Sequence, residues 1–274
     1  MKLPRLVRQI GKRVVQATPM LRRHILTSTD YQVLGSVQQA REAQASSPGW
    51  LASRTVARQQ RAYRNLIAAM KRGQPRLDFT VAAQAVAATG LTKPSLIEIG
   101  CGSGYYSEVF ATLLPDGVSY TGIDYSAAMI ARARAQYPAL QFDVADATRL
   151  PYPDARFDVA FNGVSLMHIV DYQTAIREMA RVASRYCILH TVPVFDDYRT
   201  TWLRKYAYGA PVVEIVFGRA ELMSLCTESG LQLERTWPCI AYDVSDVTGH
   251  RSTTETYLFS RRQDAQAASL SPVK

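Results

Sequence analysis

Apolar runs alternate with segments of helical periodicity along most of the chain. Residues 96–99 form a short apolar run that predicts a buried strand, and residues 106–114 have the spacing of a helix. This alternation continues to about residue 262 and is typical of a doubly wound, mostly parallel α/β sheet. Seven strands are predicted, at residues 96–99, 118–123, 140–144, 157–161, 186–189, 231–240 and 256–260.

The first 77 residues have a different pattern. In residues 2–15 the apolar side chains fall on one helical arc and the basic ones on another, which predicts a basic amphipathic helix. Such a helix can dock on its own domain, lie on an anionic membrane surface, or contact a partner or RNA. A second helix is predicted over residues 53–71. We expect a basic helical N-terminal extension at 1–77, an α/β domain at 78–262 and a disordered tail at 263–274.

Charge is unevenly distributed between these parts. The chain of 274 residues has a net charge of +9, but residues 1–77 carry +13 and the remainder carries −4. A slightly acidic domain argues against a nucleic-acid cleft in its core. No apolar run reaches the roughly 18 residues of a transmembrane helix, and no signal-peptide core follows the basic N-terminus. A cytoplasmic location is therefore expected, with peripheral membrane contact through residues 2–15 as an open alternative.

Three glycines follow the first strand of the α/β domain. Gly100, Gly102 and Gly104 leave a turn without side chains, which brings backbone N–H groups close to a nucleotide-like ligand. A dinucleotide fingerprint would need glycine at position 105, which is Tyr105. The sequence from Glu98 to Gly104, acidic-x-G-x-G-x-G, resembles motif I of the class I S-adenosylmethionine (SAM) methyltransferases.

This resemblance covers residues 78–262 and implies a Rossmann-like fold with SAM as cofactor and S-adenosylhomocysteine as its product. Asp124 ends the second strand, 24 residues after Gly100, where an acidic side chain accepts hydrogen bonds from the ribose hydroxyls. In this family the residues at Asp146 and Ala147 meet the adenine, and Asn162 lies beside the methionine end. The cofactor residues expected from the resemblance are Glu98, Gly100, Cys101, Gly102, Gly104, Asp124, Tyr125, Met129, Asp146, Ala147 and Asn162.

Catalysis by such an enzyme consists mainly of positioning the acceptor and excluding water. A general base is a further requirement for some oxygen and nitrogen acceptors, and His190 and His168 are the candidates because both follow predicted central strands. No cluster of His, Cys, Asp or Glu suggests a metal, and the four scattered cysteines predict no disulfide framework. Asn162-Gly163-Val164-Ser165 differs from the motif of enzymes that methylate base amines in DNA, so a nucleobase amine is disfavoured.

Residues 192–217 form a long insertion that we expect to be a loop and a substrate lid. Glu214 lies in an apolar run within it, where a carboxylate needs a partner or a function. Helices from an N-terminal extension often cover the SAM pocket in this family, which makes Trp50, Gln60 and Tyr63 candidates for the substrate side. The substrate residues expected from the sequence are Gln60, Tyr63, Tyr208 and Glu214.

Three functions are compatible with this sequence. The first is methyl transfer from SAM to an oxygen or nitrogen of a small-molecule or lipid-like acceptor. The second is methylation of protein or RNA, with the basic N-terminal arm used for docking. The third is a non-catalytic SAM-fold protein with a role in assembly or regulation. The sequence leaves both the acceptor and the oligomeric state open.

Overall fold

A mixed β-sheet with helices on its faces forms the described part of this computed structural model. The structure describes residues 29–47, 49–51, 53–207 and 210–262. The strands are β1 (Thr29–Leu34), β2 (Ser95–Ile99), β3 (Ser119–Asp124), β4 (Gln141–Val144), β5 (Phe157–Gly163), β6 (Ala183–Phe195), β7 (Thr201–Ala207), β8 (Ala210–Gly218), β9 (Leu231–Pro238) and β10 (Ser252–Arg261).

The helices connect these strands and cover the sheet. Short 3-10 turns at Gly49–Leu51 and Leu166–His168 complete the regular structure of the described residues. The α-helices are α1 (Val37–Ala45), α2 (Ser53–Lys71), α3 (Leu77–Ala87), α4 (Tyr105–Leu113), α5 (Ala127–Gln136), α6 (Tyr172–Val182), α7 (Arg219–Glu228) and α8 (Ser245–Thr248).

The predicted doubly wound sheet is confirmed. Parallel pairing joins β4, β3, β2, β5 and β6 in that spatial order, and β10 then adds antiparallel to β6 and to β9. The carboxyl ends of β2 to β5 therefore meet at one edge of the sheet, on both sides of the point where the strand order reverses. Open α/β sheets bind their ligands at this edge.

The predicted loop at 192–217 is instead β-structure. Strand β6 continues to Phe195, and β7 and β8 form an antiparallel hairpin in which Leu203 lies opposite Glu214 and Lys205 opposite Val212. Strand β1 pairs with β7, so the N-terminal extension contributes a strand as well as helices. The reason is burial, since every second side chain of β7 and nearly all of β8 lie inside the protein.

Asp78 lies in the first turn of α3, where its buried carboxylate accepts a hydrogen bond from Arg76 at 2.6 Å. The basic segment 2–15, Tyr208 and the tail at 263–274 lie outside the described residues. Within the part that is described, every helix is too short or too polar to cross a bilayer.

Candidate active site

A cavity of about 440 Å³ opens at the carboxyl edge of the sheet. This volume is typical of a pocket for a small ligand. One part of its lining comes from the glycine turn and the residues after β3, β4 and β5; the other comes from α2, its preceding 3-10 turn and the β7–β8 hairpin. Two of the predicted substrate-side residues, Trp50 and Tyr63, line this cavity.

The glycine turn is held in a conformation that excludes side chains. Gly100, Gly102 and Gly104 all have positive φ values, at +75°, +55° and +80°. A Cβ atom on Gly100 would collide with the side chain of Ser165, and one on Gly104 would lie 2.7 Å from Phe142. Gly100 and Gly102 line the cavity together with Cys101, whereas Gly104 caps α4 behind them.

Asp124 is fixed in the cavity wall by the glycine turn. One of its carboxylate oxygens accepts a hydrogen bond from the N–H of Gly102 at 2.9 Å, and the other accepts one from the N–H of Ser126 at 2.8 Å. Burial raises the pKa of Asp124, and the two N–H groups oppose that rise. The next predicted residues, Tyr125 and Met129, also line the cavity. This end of β3 can therefore present oriented acceptors to ribose hydroxyls.

Asp146 and Ala147 line the same cavity after β4. Oδ1 of Asp146 accepts hydrogen bonds from both the N–H and the hydroxyl of Thr148, each at 2.8 Å, and these bonds orient the carboxylate. The positions of both residues fit their predicted contact with an adenine ring.

Like Gly104, the predicted cofactor residues Glu98 and Asn162 do not line the cavity. Glu98 is 1% exposed and accepts a hydrogen bond from the Tyr120 hydroxyl, and burial raises its pKa well above the ordinary value. The Asn162 amide donates to the carbonyl of Ile99 at 3.0 Å and accepts from the N–H of Leu166 at 2.8 Å. Both side chains hold strands and turns in place behind the site.

The side-chain oxygen of Gln59 indicates whether the cavity residues suit SAM. Oε1 of Gln59 is buried and has no hydrogen-bond partner among the described residues. A Cβ atom on Gly102 would lie 3.5 Å from it, so the oxygen faces the glycine turn. An acceptor there suits the ammonium group of the methionine moiety of SAM, and Asp124 suits its ribose. The cavity therefore fits SAM.

Gln60, one of the four predicted substrate residues, faces away from the cavity. Its side chain bonds to Gln136 at 3.0 Å and to Arg132 at 2.5 Å on the surface of α5. Gln59 and Gln60 differ by about 100° around the helix, so the neighbouring residue takes the inward position. Tyr63 lines the cavity and stacks on Tyr105 with ring centroids 3.9 Å apart.

The structure does not bring His190, one of the two candidates for a general base, into the cavity. His190 is 1% exposed, does not line the cavity, and contacts the hydroxyls of Thr256 and Thr191 through its two ring nitrogens, at 2.8 and 3.0 Å. Burial, with a smaller contribution from Arg76, lowers its pKa to about 3. Because β6 continues beyond the predicted end, His190 lies within a central strand and not at its edge.

His168 does line the cavity. Its Nδ1 lies 2.7 Å from the carbonyl oxygen of Val213, which can only accept, so Nδ1 carries the proton and Nε2 is left as an acceptor. Burial and the positive charge of Lys205 lower the pKa of His168 to about 4, against opposing effects of Glu214 and Val213. The imidazole is therefore neutral at pH 7 and can accept a proton from a bound ligand. The ring centroids of Trp50 and His168 are 5.1 Å apart.

Glu214 has the partner that its apolar setting requires. Its carboxylate pairs with the ammonium group of Lys205 and accepts a hydrogen bond from the Tyr242 hydroxyl at 2.6 Å. Burial alone would raise the pKa of Glu214, but Lys205, His168 and Tyr242 together hold it below the ordinary value. Lys205 lines the cavity and Glu214 lies behind it.

Gln59, Ser165 and Lys205 are among the cavity residues that the sequence did not predict. Ser165 lines the cavity and donates to the carbonyl of Ile99 at 2.9 Å. Lys205 is one of the inward positions of β7, and the alternation of residues 201–207 was the signal that could have revealed it. Tyr208 lies outside the described residues.

Comparison with known proteins agrees with this geometry. Residues 97–189 match the model of the methyltransferase domain family. A probable SAM-dependent methyltransferase of Mycobacterium tuberculosis is 33% identical over 91 residues, which are 33% of this chain and 32% of that protein. The 27-O-demethylrifamycin SV methyltransferase of Amycolatopsis mediterranei is 42% identical over 93 residues, 32% of this chain and 34% of that enzyme. The matched region thus spans about a third of the length of these relatives.

The fold extends the likeness beyond the matched segment. A SAM-dependent methyltransferase from Methanosarcina mazei superposes with a TM-score of 0.52 and 18% identity, over 65% of this chain and 97% of that one. Residues 97–189 thus match the methyltransferase domain family, and the described fold is the Rossmann-like fold of SAM-dependent methyltransferases.

Proposed function

We propose that this protein transfers a methyl group from SAM to an oxygen of a small-molecule acceptor. The observation that carries the proposal is that one cavity brings together Asp124, Asp146 and a neutral histidine, His168. The first two suit the adenosyl part of SAM, and the third suits a hydroxyl of the acceptor. The name of the rifamycin enzyme specifies a 27-O-demethyl substrate, which supports an oxygen acceptor for this chain as well.

The cavity residues have different roles in the proposed reaction. Asp124, Asp146, Ala147 and the glycine turn would hold the adenosyl group, and Gln59 the methionine end. Bound SAM would supply an electrophilic methyl group for the acceptor oxygen and would be released as S-adenosylhomocysteine. His168 takes the hydroxyl proton at Nε2, and its bond to Val213 fixes the required tautomer. Trp50 and Tyr63 supply aromatic walls that exclude water.

A radiolabelled methyl group on SAM tests this function. The full chain is incubated with phenols, enols, quinols, carboxylic acids and amines, and the labelled products are separated by chromatography. We expect label on oxygen acceptors and its loss in an Asp124→Asn variant. Label on amines alone, or no transfer by a protein that binds SAM, would overturn the oxygen assignment; the latter result would favour a non-catalytic SAM-fold protein.

We also propose that residues 2–15 bring the protein to an anionic membrane surface. The support is their separation into an apolar arc and a basic arc, which is typical of helices that lie in the interface. Flotation with vesicles of phosphatidylserine and phosphatidylcholine tests it, with a chain that lacks residues 2–15 as control. Retention of the full chain on RNA but not on vesicles would instead favour a docking arm for RNA.

A further inference from the structure

The β7–β8 hairpin places a charged cluster in the wall of the cavity. The side chain of Lys205 is 9% exposed and that of Glu214 is 1% exposed, and the two form an ion pair. Tyr242 donates its hydroxyl to the second oxygen of Glu214, and the ring of Tyr31 lies 5.7 Å from the Lys205 ammonium. Lys205 lines the cavity, whereas Glu214 and Tyr242 do not.

Fold stability gives little reason for this arrangement. Both charges must be taken out of water, and the mutual attraction of the pair only partly offsets the cost of that desolvation. An apolar pair would fill the wall at lower cost. The ammonium group has three N–H donors, of which Glu214 accepts one, so Lys205 has donors to offer a ligand.

The same hairpin also positions His168. Val213, the residue that binds Nδ1 of His168, precedes Glu214 on β8 and lies opposite Arg204, next to Lys205 on β7. The positive charge of Lys205 is close enough to affect the titration of the imidazole. A ligand oxygen in the cavity thus meets an ammonium donor and an imidazole acceptor that one pair of strands presents.

We propose that Lys205 recognises the acceptor oxygen as an oxyanion, so that the acceptors are weakly acidic hydroxyl compounds such as phenols and enols. This inference rests on the proposed function. The O–H bond of the acceptor breaks, its proton moves to Nε2 of His168, and its electron pair stays on oxygen, where an N–H of Lys205 donates to it. Glu214 then lies near the imidazolium and balances its charge.

Electrostatics favours this class over amines. An amine acquires positive charge as it is methylated, and that charge would develop beside the Lys205 ammonium, which is unfavourable in a partly desolvated wall. A phenolate instead loses its negative charge in the same step. The lowered pKa of His168 makes it a weak base. Proton transfer is efficient only when the pKa of the base is close to that of the acceptor hydroxyl, so acidic hydroxyl groups are favoured.

Ionisation of a bound nitrophenol tests the inference without the natural acceptor. Absorbance titration of 4-nitrophenol is compared free and bound to protein saturated with S-adenosylhomocysteine, because only the phenolate absorbs in the visible range. We expect the bound probe to ionise at a pH about one unit lower than the free probe, roughly a tenfold shift in its ionisation constant. The double variant Lys205→Met, Glu214→Gln, which removes both charges together, should abolish the shift. Lys71→Met, at an exposed lysine that does not line the cavity, should keep it.

S-adenosylhomocysteine affinity is measured on every sample to separate this inference from the proposed function. Wild-type affinity in the double variant shows that it has folded. The same probe titration in wild type and double variant, or no nitrophenol binding by protein that binds S-adenosylhomocysteine, would overturn the role of Lys205. Folded wild-type protein that does not bind S-adenosylhomocysteine would overturn the proposed function itself, and the role of Lys205 with it.

Discussion

His168 donates from Nδ1 to the backbone carbonyl of Val213 at 2.7 Å, and this bond joins the turn after β5 to the β7–β8 hairpin. The first element belongs to the α/β sheet that forms the cofactor side of the cavity. The second belongs to the insertion that forms another wall. The bond also sets the tautomer of the imidazole, because it places the proton on Nδ1 and leaves Nε2 as an acceptor.

Replacement of His168 by Gln should slow methyl transfer about 10²- to 10⁴-fold, the usual contribution of a general base. Affinity for S-adenosylhomocysteine should stay unchanged, since His168 is assigned to the acceptor and not to the cofactor. Single-turnover kinetics and calorimetry measure the two quantities. His250→Gln, at a histidine that does not line the cavity, serves as the matched control. Loss of cofactor affinity with normal turnover of bound cofactor would contradict the assignment.

The pH dependence of turnover should report the lowered pKa of His168. A base must be unprotonated, so the rate should rise with pH through about 4 and stay level from about pH 6 upward, where the imidazole is neutral. Rapid pH-jump assays measure this before acid affects the fold. A rising limb centred near pH 6.5, the ordinary value for histidine, would show that His168 is solvated or is not the base.

His190 should make the protein sensitive to acid. Its folded pKa of about 3 is lower than its ordinary 6.5, so its contribution to the free energy of unfolding is complete above pH 6.5 and declines as the pH falls toward 3. The slope is about 1.4 kcal/mol per pH unit for one proton. Urea denaturation at pH 7 and pH 5 should therefore show a smaller loss for His190→Gln than for wild type. Equal losses would contradict the buried, neutral state of this imidazole.

Gly104 and Gly90 form a matched pair for measuring how closely the glycine turn is packed. Both have positive φ, so an alanine at either position should cost about 1 kcal/mol in backbone strain. At Gly104 the methyl group would also meet Phe142, whereas at Gly90 nothing lies within 4 Å. Gly104→Ala should therefore lose about 1–3 kcal/mol more than Gly90→Ala, measured by urea denaturation. Similar losses for the two variants would mean that the turn has room to move.

The parts of the site that were predictable depend on short-range sequence. The glycine turn and Asp124 lie at the ends of adjacent parallel strands, and that topology follows from the alternation of strands and helices. Gln60 could not be placed correctly from the sequence. The sequence predicts it near the substrate, but neighbouring residues of a helix differ by about 100° in direction. Only tertiary packing decides that Gln59, and not Gln60, faces the cavity.

Long-range pairing explains the remaining differences. Lys205 and Glu214 become partners only through the register of the β7–β8 hairpin, and Glu214 by itself indicated no more than the need for a partner. The apolar pattern predicts a strand that ends just before His190. The pairing of β6 with β10 and β8 carries the strand on to Phe195.

Calorimetric titration with SAM, S-adenosylhomocysteine and NADH tests the central claim most directly. We expect micromolar binding of the two adenosyl ligands, no binding of NADH, and at least about a tenfold loss of affinity in Asp124→Asn, the scale of a charge-assisted hydrogen bond. Asp116→Asn, at an exposed residue that does not line the cavity, should bind normally. Binding of NADH, or no binding of either adenosyl ligand by folded protein, would contradict the assignment of this cavity to SAM.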